Sequence, residues 1–104
     1  MKKLIVIGGG GFAKEVAWLA QDCGYQVVGM LDDNETMHGQ EVLGIKVLGS
    51  TSDWQQHNDC EFILAIGAPR TRRLVYQKML ASGQPKFATL IHPNVIMSSH
   101  VEIG

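Results

Sequence analysis

Four consecutive glycines, Gly8 to Gly11, stand between an apolar run, Leu4-Ile5-Val6-Ile7, and a helical pattern that begins at Phe12. A buried strand that turns through glycine into a helix is built to bind phosphate. The backbone can approach the ligand with no Cβ in the way, and the helix N-terminus offers unpaired N–H groups and a positive dipole end. The loop aligns as Gly8-x-Gly10-x-x-Ala13, the relaxed dinucleotide fingerprint. Asp32 follows Gly11 by 21 residues, near the usual spacing for a carboxylate that accepts hydrogen bonds from ribose hydroxyls.

Asp32 and Asp33 are not an acid–base pair, because adjacent residues at a strand end point to opposite sides. Asp32 suits ribose; Asp33 suits a base N–H or a loop N–H, or an Asx-type turn that caps the strand. A second junction, Gly67-Ala68-Pro69-Arg70-x-Arg72-Arg73, should face the glycine loop across a crevice at the carboxyl ends of the strands. Arg72 is either a diphosphate partner or ordinary helix-surface charge, while Arg70 and Arg73 read as surface. Glu15 is expected in the first helical turn, favouring the dipole, and Lys14 on a solvated face. No serine, cysteine or lysine is placed as an activated nucleophile, so local spacing gives no catalytic residue. His38 and His57 have no metal-spaced partner, and no metal site is expected. Cys23 and Cys60 are too far apart for a zinc knuckle or a C-x-x-C site and read as buried, reduced thiols.

The elements that must position these groups follow from periodicity. Leu4–Ile7 reads as a strand covered on both faces. Phe12, Val16, Leu19 and Ala20, widened by Ala13 and Ala17, form a helical stripe that Gly24 terminates. Val27–Leu31 is a second strand, and 34–44 is polar and glycine-punctuated, hence a loop. Ile45–Leu48 is a short strand, and Ser50 or Thr51 caps a brief helix through Trp54 and His57. Glu61–Ile66 is another strand. A helix follows from about Arg70 to Ser82, with Leu74, Val75 and Met79 inward and Gly83 as its stop. Phe87–Leu90 is the last strand of the alternation. The expected fold is α/β, a small Rossmann-like parallel sheet with helices on both faces. In the tail, Val95 and Val101, and Met97 and Ile103, recur at six residues, which suits either a hexapeptide β-helix coil or two alternating strands.

With 104 residues and a net charge of −1, the chain fits one small core and has no global field for nucleic acid or membrane. The four-residue apolar run is too short for a signal segment or a membrane span, so a cytoplasmic location is expected.

Taken in order, these stretches resemble the N-terminal part of the sialic acid O-acetyltransferase and bacillosamine N-acetyltransferase family of hexapeptide-repeat sugar acyltransferases. The resemblance runs from Leu4 through Gly8-Gly9-Gly10-Gly11-Phe12-Ala13-Lys14-Glu15-Val16, Gly29-Met30-Leu31-Asp32-Asp33 and Val47-Leu48-Gly49. It continues through Ala65-Ile66-Gly67-x-Pro69-x-x-Arg72 and Thr89-Leu90-Ile91-His92-Pro93 to Val101-Glu102-Ile103-Gly104. It implies a domain over 1–91 that binds a nucleotide-linked sugar, often UDP-linked. Residues 92–104 would then begin a left-handed β-helix. By position, Gly8, Gly10, Gly11 and Phe12 would approach the diphosphate. Asp32 and Asp33 would hold the nucleoside, and Gly67, Pro69 and Arg72 would line the opposite wall. The β-helix of such enzymes binds acetyl-CoA as co-substrate, forms homotrimers and carries the catalytic histidine. Here the sequence ends at Gly104 after one coil, so an isolated domain, monomer or dimer, that transfers no acyl group alone is expected. Two other readings fit the loop: an NAD- or mononucleotide-binding module with a sensor role, and an assembly domain without a ligand.

Overall fold

The structure, a computed structural model, describes residues 2–92 and 95–98. At its centre is strand β1 (Lys3–Ile7), paired in parallel with β2 (Gln26–Leu31) on one side. The edge beyond β2 holds β3 (Glu41–Val42) and β4 (Ile45–Gly49), and the other neighbour of β1 is β5 (Glu61–Leu64). The sheet order is β3-β4-β2-β1-β5, with β3 antiparallel and the rest parallel.

The apolar run of β1 is explained by its two covered faces. Leu4 and Val6 pack with Ala13, Val16, Ala17 and Ala20 of helix α1 (Gly11–Asp22). Ile5 and Ile7 face the other way, into a cluster with Trp54, Phe62, and Val75 and Met79 of helix α2 (Pro69–Ser82). Leu4, Ile5, Val6 and Ile7 are all fully buried. The three alanines give α1 a narrow face, letting the helix approach the sheet closely. Truncating a β1 isoleucine to alanine at such a site costs about 2–5 kcal/mol.

Several expected details shift. Phe12 and Leu74 are half-exposed rather than core, leaving the smaller Ala13, Val16, Ala17 and Ala20, and Val75 and Met79, to face the sheet. Helix α1 begins at Gly11, which puts Glu15 beyond the first turn, where no acidic residue stands. The brief helix expected after Ser50 is a 3-10 helix, Thr51–His57, with a capping box in which Ser50 and Asp53 satisfy each other's backbone N–H. The stretch 34–44 contains a 3-10 turn, Glu35–Met37, and the edge strand β3. Of the expected last strand, Phe87 makes a parallel bridge to Phe62; the ladder then formed by β6 (Thr89–His92) is antiparallel, to β7 (Val95–Ser98). The second half of the six-residue repeat, 99–104, lies outside the described residues.

From β1 the chain runs through β2 to β4 on one side and then crosses to β5 on the other. The order therefore reverses between β1 and β5, and the crevice outside the carboxyl ends of these strands is the place where open α/β sheets bind ligands.

Candidate functional site

The glycine loop leaves β1 at this crevice, and its four glycines divide into two pairs. Gly8 adopts φ +121 and donates its N–H to the Leu31 carbonyl at 2.6 Å. A Cβ there would stand 2.7 Å from the Ala65 carbonyl oxygen, so β1 and β5 can meet only around glycine. Gly9 donates to Asp32 Oδ2 at 2.7 Å, and a Cβ on it would press on Met37 Cε. Gly8 is required by the fold itself, and Gly9 is covered by the flexible end of Met37, so both positions are crowded from within.

Gly10 and Gly11 are not. Gly10 is the N-cap of α1 with ordinary backbone angles, φ −82 and ψ −167, and contributes no side-chain cap. A Cβ on Gly10 or Gly11 would meet nothing within 4 Å. The helix therefore presents N–H groups to an open space, where Ser or Asp would be the usual cap. Phe12, at 40% exposure, stands beside them.

Asp32 lies at the end of β2 and faces this loop. Its Oδ2 takes the Gly9 N–H and its Oδ1 takes the Asn34 N–H, each at 2.7 Å. A carboxylate has about four acceptor positions, so capacity for ribose hydroxyls remains. Asp33 turns the other way, as adjacent strand residues must. Its carboxylate accepts from the Thr51 N–H at 2.9 Å and from the Thr51 hydroxyl, which stitches the end of β2 to the helix after β4. It also borders a cleft of about 420 Å³ with Thr51, Trp54 and Lys78. The two aspartates are thus not brought together on one ligand group; Asp32 is on the glycine loop and Asp33 is a loop staple.

The opposite wall is the β5–α2 turn. Gly67 is exposed, and no neighbour lies within 4 Å of where its Cβ would be. Pro69 opens α2 after an uncapped Ala68, where a missing N–H costs nothing. Arg72 folds back so that Nη1 donates to the Ile66 carbonyl at 3.3 Å, holding the guanidinium at the turn. Ile66 itself borders Gly8, with its Cγ1 3.5 Å from the Gly8 Cβ position. Arg70, Arg72 and Arg73 lie at a positive helix end that normally disfavours cations.

Met37, His38 and Thr51 also border these groups and were invisible as site residues in the sequence. Their signal is contact across 6 to 28 positions of chain, which no local spacing encodes. Among the described residues no group of three or more His, Cys, Asp or Glu could hold a metal ion, and no helix is long and apolar enough to cross a membrane.

Comparison with known proteins bears on the fold and the family. The acetyltransferase domain of PglB from Neisseria gonorrhoeae superposes with a TM-score of 0.74 at 36% identity, over 89% of this chain and 45% of that one. The same domain has been solved in complex with acetyl coenzyme A. Perosamine N-acetyltransferase from Caulobacter crescentus, solved with CoA and GDP-perosamine, gives 0.70 at 30% identity, over 89% of this chain and 44% of that one. A curated relative, Uncharacterized protein L142 of Acanthamoeba polyphaga mimivirus, is 29% identical over 95% of this chain and 19% of its own length. The chain thus spans less than half the length of each of these relatives. The family model of the PglD N-terminal domain matches residues 3–79, and the chain belongs to that family, as an N-terminal domain of the sugar acetyltransferases.

Proposed function

We propose that this chain binds the nucleoside-diphosphate part of a nucleotide-linked sugar, as the sugar-holding half of an N- or O-acetyltransferase. The observation that carries the reading is the pair Gly10 and Gly11. Nothing in the fold needs glycine there, yet both leave bare the N-terminus of an uncapped helix with no acid in its first turn. In the proposed complex the diphosphate lies on Gly10, Gly11 and Phe12, with Gly8 shaping the turn. Asp32 takes the ribose hydroxyls, and Gly67, Pro69 and Arg72 form the far wall, Arg72 adding positive charge. Asp33 borders the nucleoside side through its Thr51 staple.

The perosamine enzyme's GDP-linked ligand supports the class of ligand and leaves the base open between uracil and guanine. In the whole enzyme the sugar's amine or hydroxyl attacks the thioester carbonyl of acetyl-CoA, a base takes its proton, and the CoA thiol leaves. Acetyl-CoA, the base and the trimeric assembly belong to the β-helical remainder, and the reaction to the cytoplasm.

Titration of the chain with UDP, GDP, CMP and NAD, followed by amide shifts at the glycines, tests the reading. A nucleoside diphosphate should shift Gly10, Gly11 and Phe12 with saturation. Binding of NAD alone would replace this reading with a dinucleotide module, and silence at millimolar ligand would leave an assembly domain.

A further inference from the structure

Asp32 is fixed at four points among the described residues. Its N–H donates to the Gly49 carbonyl at 2.9 Å, and its carboxylate takes the Gly9 and Asn34 N–H groups. The fourth is the Asp32 carbonyl, which sits 2.7 Å from His38 Nε2. Three of these partners are main chain; His38 alone reaches Asp32 with a side chain. A carbonyl can only accept, so Nε2 carries the proton and donates.

We propose that His38 is a positioning residue. It clamps the Asp32–Asp33 peptide so that the Asp32 carboxylate is preset on the glycine loop, and it thereby sets the site's affinity for a nucleoside diphosphate. The proposal rests on the nucleotide reading above.

The imidazole approaches from a rigid frame. Asn34 Oδ1 accepts from the Thr36 N–H at 3.1 Å and its hydroxyl at 2.8 Å, and Gln40 Nε2 donates to the Thr36 carbonyl at 2.6 Å. The Gly39 N–H to Val47 and the Val47 N–H to Gln40, both 2.8 Å, tie the loop's far end to β4. Met37, next to His38, lies against Gly9 on the glycine loop. The β2–β3 loop therefore grips the site twice, through Met37 on Gly9 and through His38 on Asp32. On the other flank Thr51 holds Asp33, so the peptide between the two aspartates is pinned from both sides. Removing the His38 donor takes one of the four ties from Asp32, and its carboxylate loses order against the Gly9 N–H. A ligand must then pay the ordering that the apo protein no longer supplies.

The test compares the full chain with H38Q and H38F. Glutamine carries an N–H donor at the same reach as Nε2, whereas phenylalanine keeps a ring without one. Two readouts are taken: the dissociation constants for UDP and GDP by calorimetry, and hydrogen exchange of the Gly9 amide without ligand. H38F should weaken binding about three- to tenfold, the worth of one neutral hydrogen bond, and speed Gly9 exchange. H38Q should restore both. Should H38F not fold, H38L serves as the donor-free variant against H38Q. Donor-free protein that binds as tightly as the natural chain would overturn the proposal, and so would a glutamine that recovers neither readout, since ring packing would then be the role. If the natural chain binds neither diphosphate, the nucleotide reading falls and this one with it. Tight natural binding with an indifferent His38 removes this proposal alone.

Discussion

Gly8 and Gly11 are one residue type under opposite demands, and that contrast can be measured. Gly8→Ala forces a Cβ against the Ala65 carbonyl at a φ of +121, so the chain should lose more than about 2 kcal/mol or fail to fold. Gly11→Ala meets no atom and replaces glycine in a helical turn, which should stabilise the chain by about 0.5 kcal/mol. If the diphosphate lies on that turn, the same methyl should weaken nucleotide binding at least severalfold. Thermal unfolding and calorimetry on the two variants read both signs; a Gly11→Ala chain that gains stability with unchanged affinity would move the ligand off the turn. Asp32→Ala is a third case, because the residue has two tasks. It should cost about 1–3 kcal/mol of stability, chiefly through the freed Gly9 N–H, and weaken nucleotide binding by a similar free energy. Asp33→Ala should cost stability through Thr51 and spare the diphosphate.

At the level of elements, the sequence was readable where one face or two faces of burial wrote a period into it. β1 announced itself because Leu4 to Ile7 are buried on both sides, and α1 because Ala13, Val16, Ala17 and Ala20 recur on one. The glycine loop and the acid at the end of β2 were readable because their chemistry fixes their spacing. Strand β3 was not. It is two residues long, and its hairpin turns through Leu43 at φ 54 and Gly44 at φ 77, where leucine gives none of the usual Asn or Asp signal. The divergence of Asp32 and Asp33 followed from strand geometry, but their partners, Gly9 and Thr51, are facts of tertiary packing. A second tie between elements lies away from the crevice, where the hydroxyl of Tyr25, just before β2, donates to Glu61 of β5 at 3.0 Å. Burial first, then the Glu61 carboxylate, pushes the Tyr25 phenol above its ordinary 10.0, and burial and Asp59 push the Cys60 thiol above 9.0. A folded pKa that is raised contributes stability below the unfolded value and loses it as pH climbs through the folded one. Stability should therefore hold to about pH 9 and fall above it in two stages, thiol then phenol. Denaturant melts from pH 8 to 11 on the chain, Tyr25→Phe and Cys60→Ala check this, each variant losing its own part of the alkaline decline.

At the scale of the molecule, both helices begin at the edge where the strand order reverses, so their N-termini and the ends of β1, β2 and β5 share one crevice. That arrangement concentrates positive partial charge and backbone N–H groups, which is what an anionic diphosphate needs. It supplies little for acyl transfer. The transfer needs a base within about 3 Å of the attacking amine or hydroxyl. At this crevice Asp32 takes a backbone N–H on each carboxylate oxygen, and His38 donates Nε2–H to the Asp32 carbonyl, which leaves Nδ1 as its one basic nitrogen. The arginines of the far wall are permanently charged and cannot accept a proton. The chain alone should therefore bind a UDP- or GDP-linked sugar, yet release no CoA when acetyl-CoA is added. A thiol-trapping assay alongside calorimetry on the same sample separates the two. Binding without thiol release is the expected result, and steady release that disappears in Asp32→Ala or His38→Phe would place the base in this domain and make the crevice a catalytic centre.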